Sequence, residues 1–101
     1  MKLVVIIPTF GRREIVSRLL GELVRQDRLP DRVVLSAPDE SHLPATDPTL
    51  PFPVERVLGR QGLTAQRNAA LDHVDGACDV ITFLDDDFIP ARGYLALVEE
   101  A

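Results

Sequence analysis

Apolar positions fall into runs of two different periods along this chain. Leu3-Val4-Val5-Ile6-Ile7 is uninterrupted and closes at Pro8. Such a run predicts a strand buried on both faces, as in a parallel sheet. After the turn Thr9-Phe10-Gly11-Arg12-Arg13, the residues Ile15, Val16, Leu19, Leu20, Leu23 and Val24 recur at helical spacing. They predict an amphipathic helix from about Glu14 to Gln26. Pro30-Asp31 breaks that pattern, and Arg32 to Leu35 reads as a second strand. Strand, helix, strand is a βαβ unit, whose strands run parallel through a right-handed crossover.

From Ala37 to Pro53 the chain holds Pro38, Pro44, Pro48, Pro51 and Pro53 among polar residues. That proline density predicts a long surface loop without regular structure. Val54 to Leu58 is the third predicted strand. A turn at Gly59 to Gly62 leads into a helix from about Thr64 to His73, with Thr64 as N-cap and Gly76 as its stop. Val80-Ile81-Thr82-Phe83-Leu84 is the fourth strand and runs straight into Asp85-Asp86-Asp87. Pro90 sits where a first-turn proline suits a closing helix that carries Tyr94, Leu95, Leu97 and Val98. This order predicts a doubly wound α/β sheet, in which ligands gather beyond the carboxyl ends of the strands. Pro8-Thr9-Phe10, the Ser36-to-Asp39 stretch and the aspartate triplet all fall there.

Composition narrows the partners. A chain of 101 residues makes one domain, spanning 1–101, and 46% hydrophobic with 27% charged residues is ordinary for a globular protein. The net charge of −5 argues against a nucleic-acid binder, which needs clustered Lys and Arg. With Cys78 alone, no intrachain disulfide forms, and a reducing compartment fits. The apolar run before Pro8 is too short for a signal peptide or membrane span, so a cytoplasmic location is the default, with peripheral membrane attachment left open. His42 and His73 lack metal-ligand spacing to a Cys or to each other, and neither is expected to do chemistry.

The triplet carries the sharpest chemistry. In an extended chain Asp85 and Asp87 project to one side and Asp86 to the other. Neighbouring carboxylates repel unless a cation or hydrogen-bond donors neutralise them. Hard divalent cations such as Mg²⁺ or Mn²⁺ suit oxygen donors, and Mg²⁺ commonly takes one or two carboxylates plus substrate phosphates. A solvated acidic turn after a strand is the plainer alternative.

Three stretches together resemble the inverting family 2 nucleotide-sugar glycosyltransferases of the GT-A (Rossmann-like) fold. Val5-Ile6-Ile7-Pro8-Thr9-Phe10-Gly11-Arg12 is similar to that family's opening strand, Pro-Thr-aromatic turn and following Arg. Gln61-Gly62-Leu63-Thr64-Ala65-Gln66-Arg67-Asn68-Ala69-Ala70-Leu71 resembles its Gly-to-Ala-Arg-Asn segment, and Phe83-Leu84-Asp85-Asp86-Asp87-Phe88-Ile89-Pro90 its Asp-X-Asp signature. The resemblance implies a mostly parallel sheet with flanking helices and a nucleoside-diphosphate sugar donor, UDP first and GDP second. It places Pro8, Thr9 and Phe10 against the nucleoside, Arg67 near the diphosphate, and Asp85 and Asp86 in the nucleotide-sugar contacts. Asp85 and Asp87 would hold Mg²⁺ or Mn²⁺, which offsets charge on the departing diphosphate.

The departures from the family pattern limit what carries over. Where the family commonly has Asp-Asp-Gly-Ser, this chain reads Leu35-Ser36-Ala37-Pro38-Asp39-Glu40-Ser41, so Asp39 would serve the base only in a shifted register. Gly11 stands where Asn is common. The general base that deprotonates an acceptor hydroxyl lies, in the family, well beyond the Asp-X-Asp. The 101 residues therefore correspond to the nucleotide-binding half, expected to be inactive alone, with an open sheet edge through which two copies would pair. Two other readings are a non-catalytic nucleotide-binding or structural fragment, and a phosphatase of the haloacid dehalogenase type. The phosphatase motif usually comes near the N-terminus and continues with Thr or Val, where this chain has Ile89.

Overall fold

The computed structural model describes residues 1–44, 49–76 and 78–100. Among them the chain runs through strand β1 (Leu3–Pro8), helix α1 (Arg13–Val24), strands β2 (Arg32–Ala37) and β3 (Val54–Leu58), helix α2 (Leu63–Val74), strand β4 (Val80–Phe83) and helix α3 (Tyr94–Glu100). Every strand pairing is parallel, in the order β3-β2-β1-β4. The chain steps outward from β1 to β2 and β3, then returns over the sheet through α2 to the far side of β1. This is the expected α/β sheet, and its order reverses between β1 and β4. A crevice opens at such a point, beyond the strands' carboxyl ends.

Period two along the strands sorts the core into two layers. Leu3, Val5 and Ile7 of β1 and Val33, Leu35 and Ala37 of β2 face Val16, Leu19, Leu20 and Leu23 of α1 and Leu95 of α3. Val4, Ile6 and Val34 face Ala70 and Val74 of α2. With neighbours on both sides, β1 is buried along its whole length, which is why its sequence shows no alternation. Pro8 is tolerated in this central strand for a geometric reason. Thr9 N–H bonds Ser36 O on the β2 side and Leu84 N–H bonds Ile6 O on the β4 side, so the N–H that Pro8 lacks would point toward β4. There the ladder has already ended, at the pair Ile6 and Phe83.

Three local expectations need correction. The cap of α2 is Gly62, not Thr64: at φ 119° it holds a conformation that favours glycine, and its N–H donates to Gln66 Oε1 at 3.1 Å. Pro90 is not in the first turn of α3, which begins at Tyr94. The start of that helix is set by Gln26, whose amide accepts from Leu95 N–H and donates to Ala91 O. The proline-rich segment is also more ordered than expected. Glu40–His42 forms a 3-10 turn, and Leu43 and Phe52 enter the core under α1; residues 45–48 of the segment lie outside the described residues. No helix among the described residues is long and apolar enough to cross a membrane.

Two polar ties fix α2 and β3 to the sheet. Gln66, buried on the inner face of α2, donates to Thr9 O and Ser36 O, each at 2.9 Å. It thereby holds the start of α2 against the ends of β1 and β2. Glu55 of β3 takes a two-pronged bond from Arg32 of β2, both prongs 2.7 Å, and lies 2.6 Å from His73 Nε2 of α2.

Gln66→Leu takes the side-chain donor from Thr9 O, while Ser36 O keeps the Thr9 N–H, and should lower unfolding stability by about 1–2 kcal/mol, read by chemical denaturation. The Arg32 bond, against the opposing effect of burial, holds the Glu55 carboxyl down at about 2 from its usual 4.5. A depressed carboxylate contributes stability above its unfolded value and loses it as pH falls toward the folded value. Wild type should therefore lose about 1–2 kcal/mol between pH 4.5 and 2 from this group, the part-exposed pair being screened by solvent. Glu55→Gln should flatten that part of the acid limb, and an unchanged limb would show that the tie is not formed in solution.

Candidate functional site

The carboxyl ends of β1 and β4 release two turns side by side. From β1 come Thr9, Phe10, Gly11 and Arg12; from β4 come Leu84 and the three aspartates. The triplet bends into a turn in which Phe88 N–H donates to Asp85 O at 3.0 Å. Its middle carboxylate points inward. Asp86 accepts from Thr9 Oγ1 at 2.7 Å and from Arg12 Nη1 at 3.2 Å, and its side chain is only 11% exposed. A carboxylate so enclosed needs both donors, because an unpaired buried charge is costly.

Asp85 and Asp87 are exposed and Asp86 is buried, the expected division of the triplet, although here it is made by a turn and not by an extended chain. Asp85 has no hydrogen bond or ion pair from its carboxylate among the described residues, and Asp87 has a long contact of 3.6 Å to the same Arg12 nitrogen. A cleft of about 500 Å³ lies over them, walled by Pro8, Thr9, Phe10 and Arg12 on one side and by Gln61, Gly62, Leu63 and Gln66 on the other. The first turn of α2 opens on this cleft with no side-chain cap, leaving amide donors near the aspartates. A second hollow of about 590 Å³ lies between the end of α1 and Pro90. It has no comparable set of converging groups at a strand end.

The donor set suits a hard cation in part. No group of three or more His, Cys, Asp or Glu side chains converges on one point among the described residues. Two open carboxylates offer oxygen donors only, and a cation held there would complete its shell with phosphate oxygens and water. That is the arrangement Mg²⁺ favours.

The remaining sequence candidates land in different places. Pro8, Thr9 and Phe10 line the cleft. Phe10 is half exposed and stacks on His42, ring centres 4.5 Å apart. His42 Nδ1 also accepts from Gly11 N–H at 2.6 Å, so this histidine clamps the turn after β1. Asp39 is not part of the cleft wall. Its carboxylate caps the 3-10 turn, and bonds from the Ser41 hydroxyl and then the Ser41 N–H hold it below the usual carboxylate range. Arg67 is not among the residues that wall the cleft, and it makes no ion pair with the aspartates among the described residues. Its guanidinium lies over the Phe83 ring at 5.4 Å, and its buried Nε has no partner among the described residues.

Two contributors escaped the sequence reading of the site. Arg12 occupies the N-cap position of α1, where Ser, Thr, Asp or Asn would stabilise the helix, and makes no capping bond. A poor cap beside a strand end was the available signal. Gln66 shares a four-residue spacing with Ala70 and Val74, and all three are buried. A lone amide on an apolar stripe marks a group with fixed bonding partners.

Comparisons with known proteins bear on the family and the fold. The chain is 31% identical over 95 residues to the uncharacterized glycosyltransferase YwdF of Bacillus subtilis (strain 168), covering 91% of this chain. It spans about a third, 35%, of that relative's length. The crystal structure of TarS from S. aureus superposes on 99% of this chain with a TM-score of 0.67 at 24% identity, using 19% of the TarS chain. That likeness bears out the GT-A-type fold. Residues 4–101 match the sequence pattern described as Glycosyl transferase family 2, and the chain belongs to that family.

Proposed function

We propose that this chain forms the donor side of a family 2 glycosyltransferase, binding a nucleoside-diphosphate sugar together with Mg²⁺ or Mn²⁺ in the cleft between β1 and β4. One observation carries the reading. The Pro8-Thr9-Phe10 turn, the uncapped start of α2 and the open carboxylates of Asp85 and Asp87 all border a single cleft at the point where the strand order reverses. Membership of the family favours this reading over a haloacid dehalogenase-type phosphatase.

Each group has a task in that reading. The exposed face of Phe10 offers an apolar surface to the nucleoside. The amide donors at the start of α2 face the diphosphate. Asp85 and Asp87 hold the cation, which when bound offsets negative charge on the leaving diphosphate. Asp86 also borders the cleft, but its carboxylate is engaged by Thr9 and Arg12, and its main task is to fix the turn that presents its two neighbours. Asp39 and Arg67 do not wall the cleft, and this reading gives neither of them a donor contact.

Transfer to an acceptor hydroxyl needs a general base. Beyond the triplet, the cleft wall holds no Asp, Glu or His among the described residues. The task we assign to these residues is therefore donor binding, with UDP ahead of GDP, and the acceptor is left unassigned.

Calorimetric titration of UDP and of GDP, each with and without Mn²⁺, tests the reading. Wild type should bind one of the two in a Mn²⁺-dependent way, and Asp87→Asn should weaken that binding by about 2 kcal/mol or more, the scale of a charged partner lost from a ligand. Nucleotide binding indifferent to both Mn²⁺ and Asp87→Asn would contradict it.

A further inference from the structure

Arg12 stands between two aspartates that differ in their surroundings. Its Nη1 lies 3.2 Å from Asp86 Oδ1 and 3.6 Å from Asp87 Oδ2. Asp86 is enclosed and holds a second bond from Thr9, whereas the side chain of Asp87 is 60% exposed. The guanidinium itself is half exposed, on a residue that spends no contact on capping α1. One contact is thus an anchor, and the other is longer and open to solvent.

Three consecutive carboxylates repel when nothing else is bound. A guanidinium is charged at every accessible pH, and the two hydrogens of a single Nη can serve two carboxylates at once. We propose that Arg12 is a resident counter-cation. It neutralises Asp87 while the cleft is empty, and a divalent cation binding at Asp87 displaces it, while the Asp86 anchor keeps the guanidinium at the rim. There the freed charge faces the anionic diphosphate that accompanies the metal. The cleft therefore disfavours the bare cation and favours the cation with its nucleotide. This inference rests on the reading of Asp85 and Asp87 as cation ligands.

The consequence is a pair of effects with opposite signs. Removing the charge should strengthen binding of Mn²⁺ alone, because a competing cation is gone. The same change should weaken binding of the Mn²⁺–nucleotide pair, because the diphosphate loses a counter-charge. A residue that merely supported the turn would weaken both.

The experiment titrates Mn²⁺ alone, and then UDP and GDP at saturating Mn²⁺, into wild type, Arg12→Gln, Arg12→Lys and Asp87→Asn at low salt. Arg12→Gln should bind Mn²⁺ alone about three- to ten-fold tighter than wild type, as expected for removing one cation from a partly exposed site. Its affinity for the preferred nucleotide should fall by a similar factor, and Arg12→Lys, which keeps the charge, should stay close to wild type. Salt at about 0.5 M should shrink the gap between Arg12→Gln and wild type. Mn²⁺ affinity in Arg12→Gln equal to or below wild type, with Asp87→Asn still abolishing binding, overturns the inference alone. Unchanged Mn²⁺ binding in Asp87→Asn, or none in either wild type or Arg12→Gln, overturns the cation-site reading and the inference with it.

Discussion

The parallel pairing of β1 with both β2 and β4 is the constraint on which the rest of this structure depends. Because the strands share one direction, everything that follows a strand leaves at the same edge of the sheet. The turn after β1 and the turn after β4 are 77 residues apart at Thr9 and Asp86, yet they meet across a 2.7 Å hydrogen bond. The apolar layers on either face make that pairing stable, and α2 supplies the return path that puts β4 beside β1. Burial of the strands thus determines where the chemistry-bearing residues gather.

At that edge local stability is given up for arrangement. Neither α1 nor α2 has a side-chain cap, although caps contribute about 1 kcal/mol each. Arg12, at the cap of α1, binds Asp86 instead. Gly62, at the cap of α2, leaves the helix amides open to the cleft. The losses are offset by ties that span elements: Asp86 joins the two turns, Gln66 joins α2 to β1 and β2, and His42 clamps the turn carrying Phe10. Violations of local preference that cluster at one edge, compensated by long-range bonds, are what a functional edge should display.

Much of this was legible in the sequence because it rests on periodicity. The unbroken run Leu3 to Ile7 and the helical stripe from Val16 to Leu23 name their elements through the pattern of burial. The strand before Asp85 was legible from its β-branched and aromatic residues, although at the sheet edge it is only part-buried. The turn residues Pro8, Thr9 and Phe10 and the triplet were found because they follow strands. The rest depends on contacts between distant residues, which no local pattern reports. The bond from Gln26 to α3, the burial of Leu43 and Phe52 in a proline-rich segment, and the inward turn of Asp86 belong to this class. So does the direction of Arg67, whose place on a helix near the cleft was readable while its turn toward Phe83 was not.

The most direct test of the central claim, that Asp85 and Asp87 hold a divalent cation beside the nucleotide, is site-resolved paramagnetic broadening. Amide spectra of the 101-residue chain would be recorded while Mn²⁺ is added in trace amounts with UDP or GDP present. The account predicts selective loss of signals from Thr9 to Arg12, from Gly62 to Thr64 and from Asp85 to Phe88, with the ends of the strands opposite the cleft unaffected. Broadening centred on other acidic positions such as Asp72, Asp75 or Asp79, or spread evenly over the surface, would contradict it.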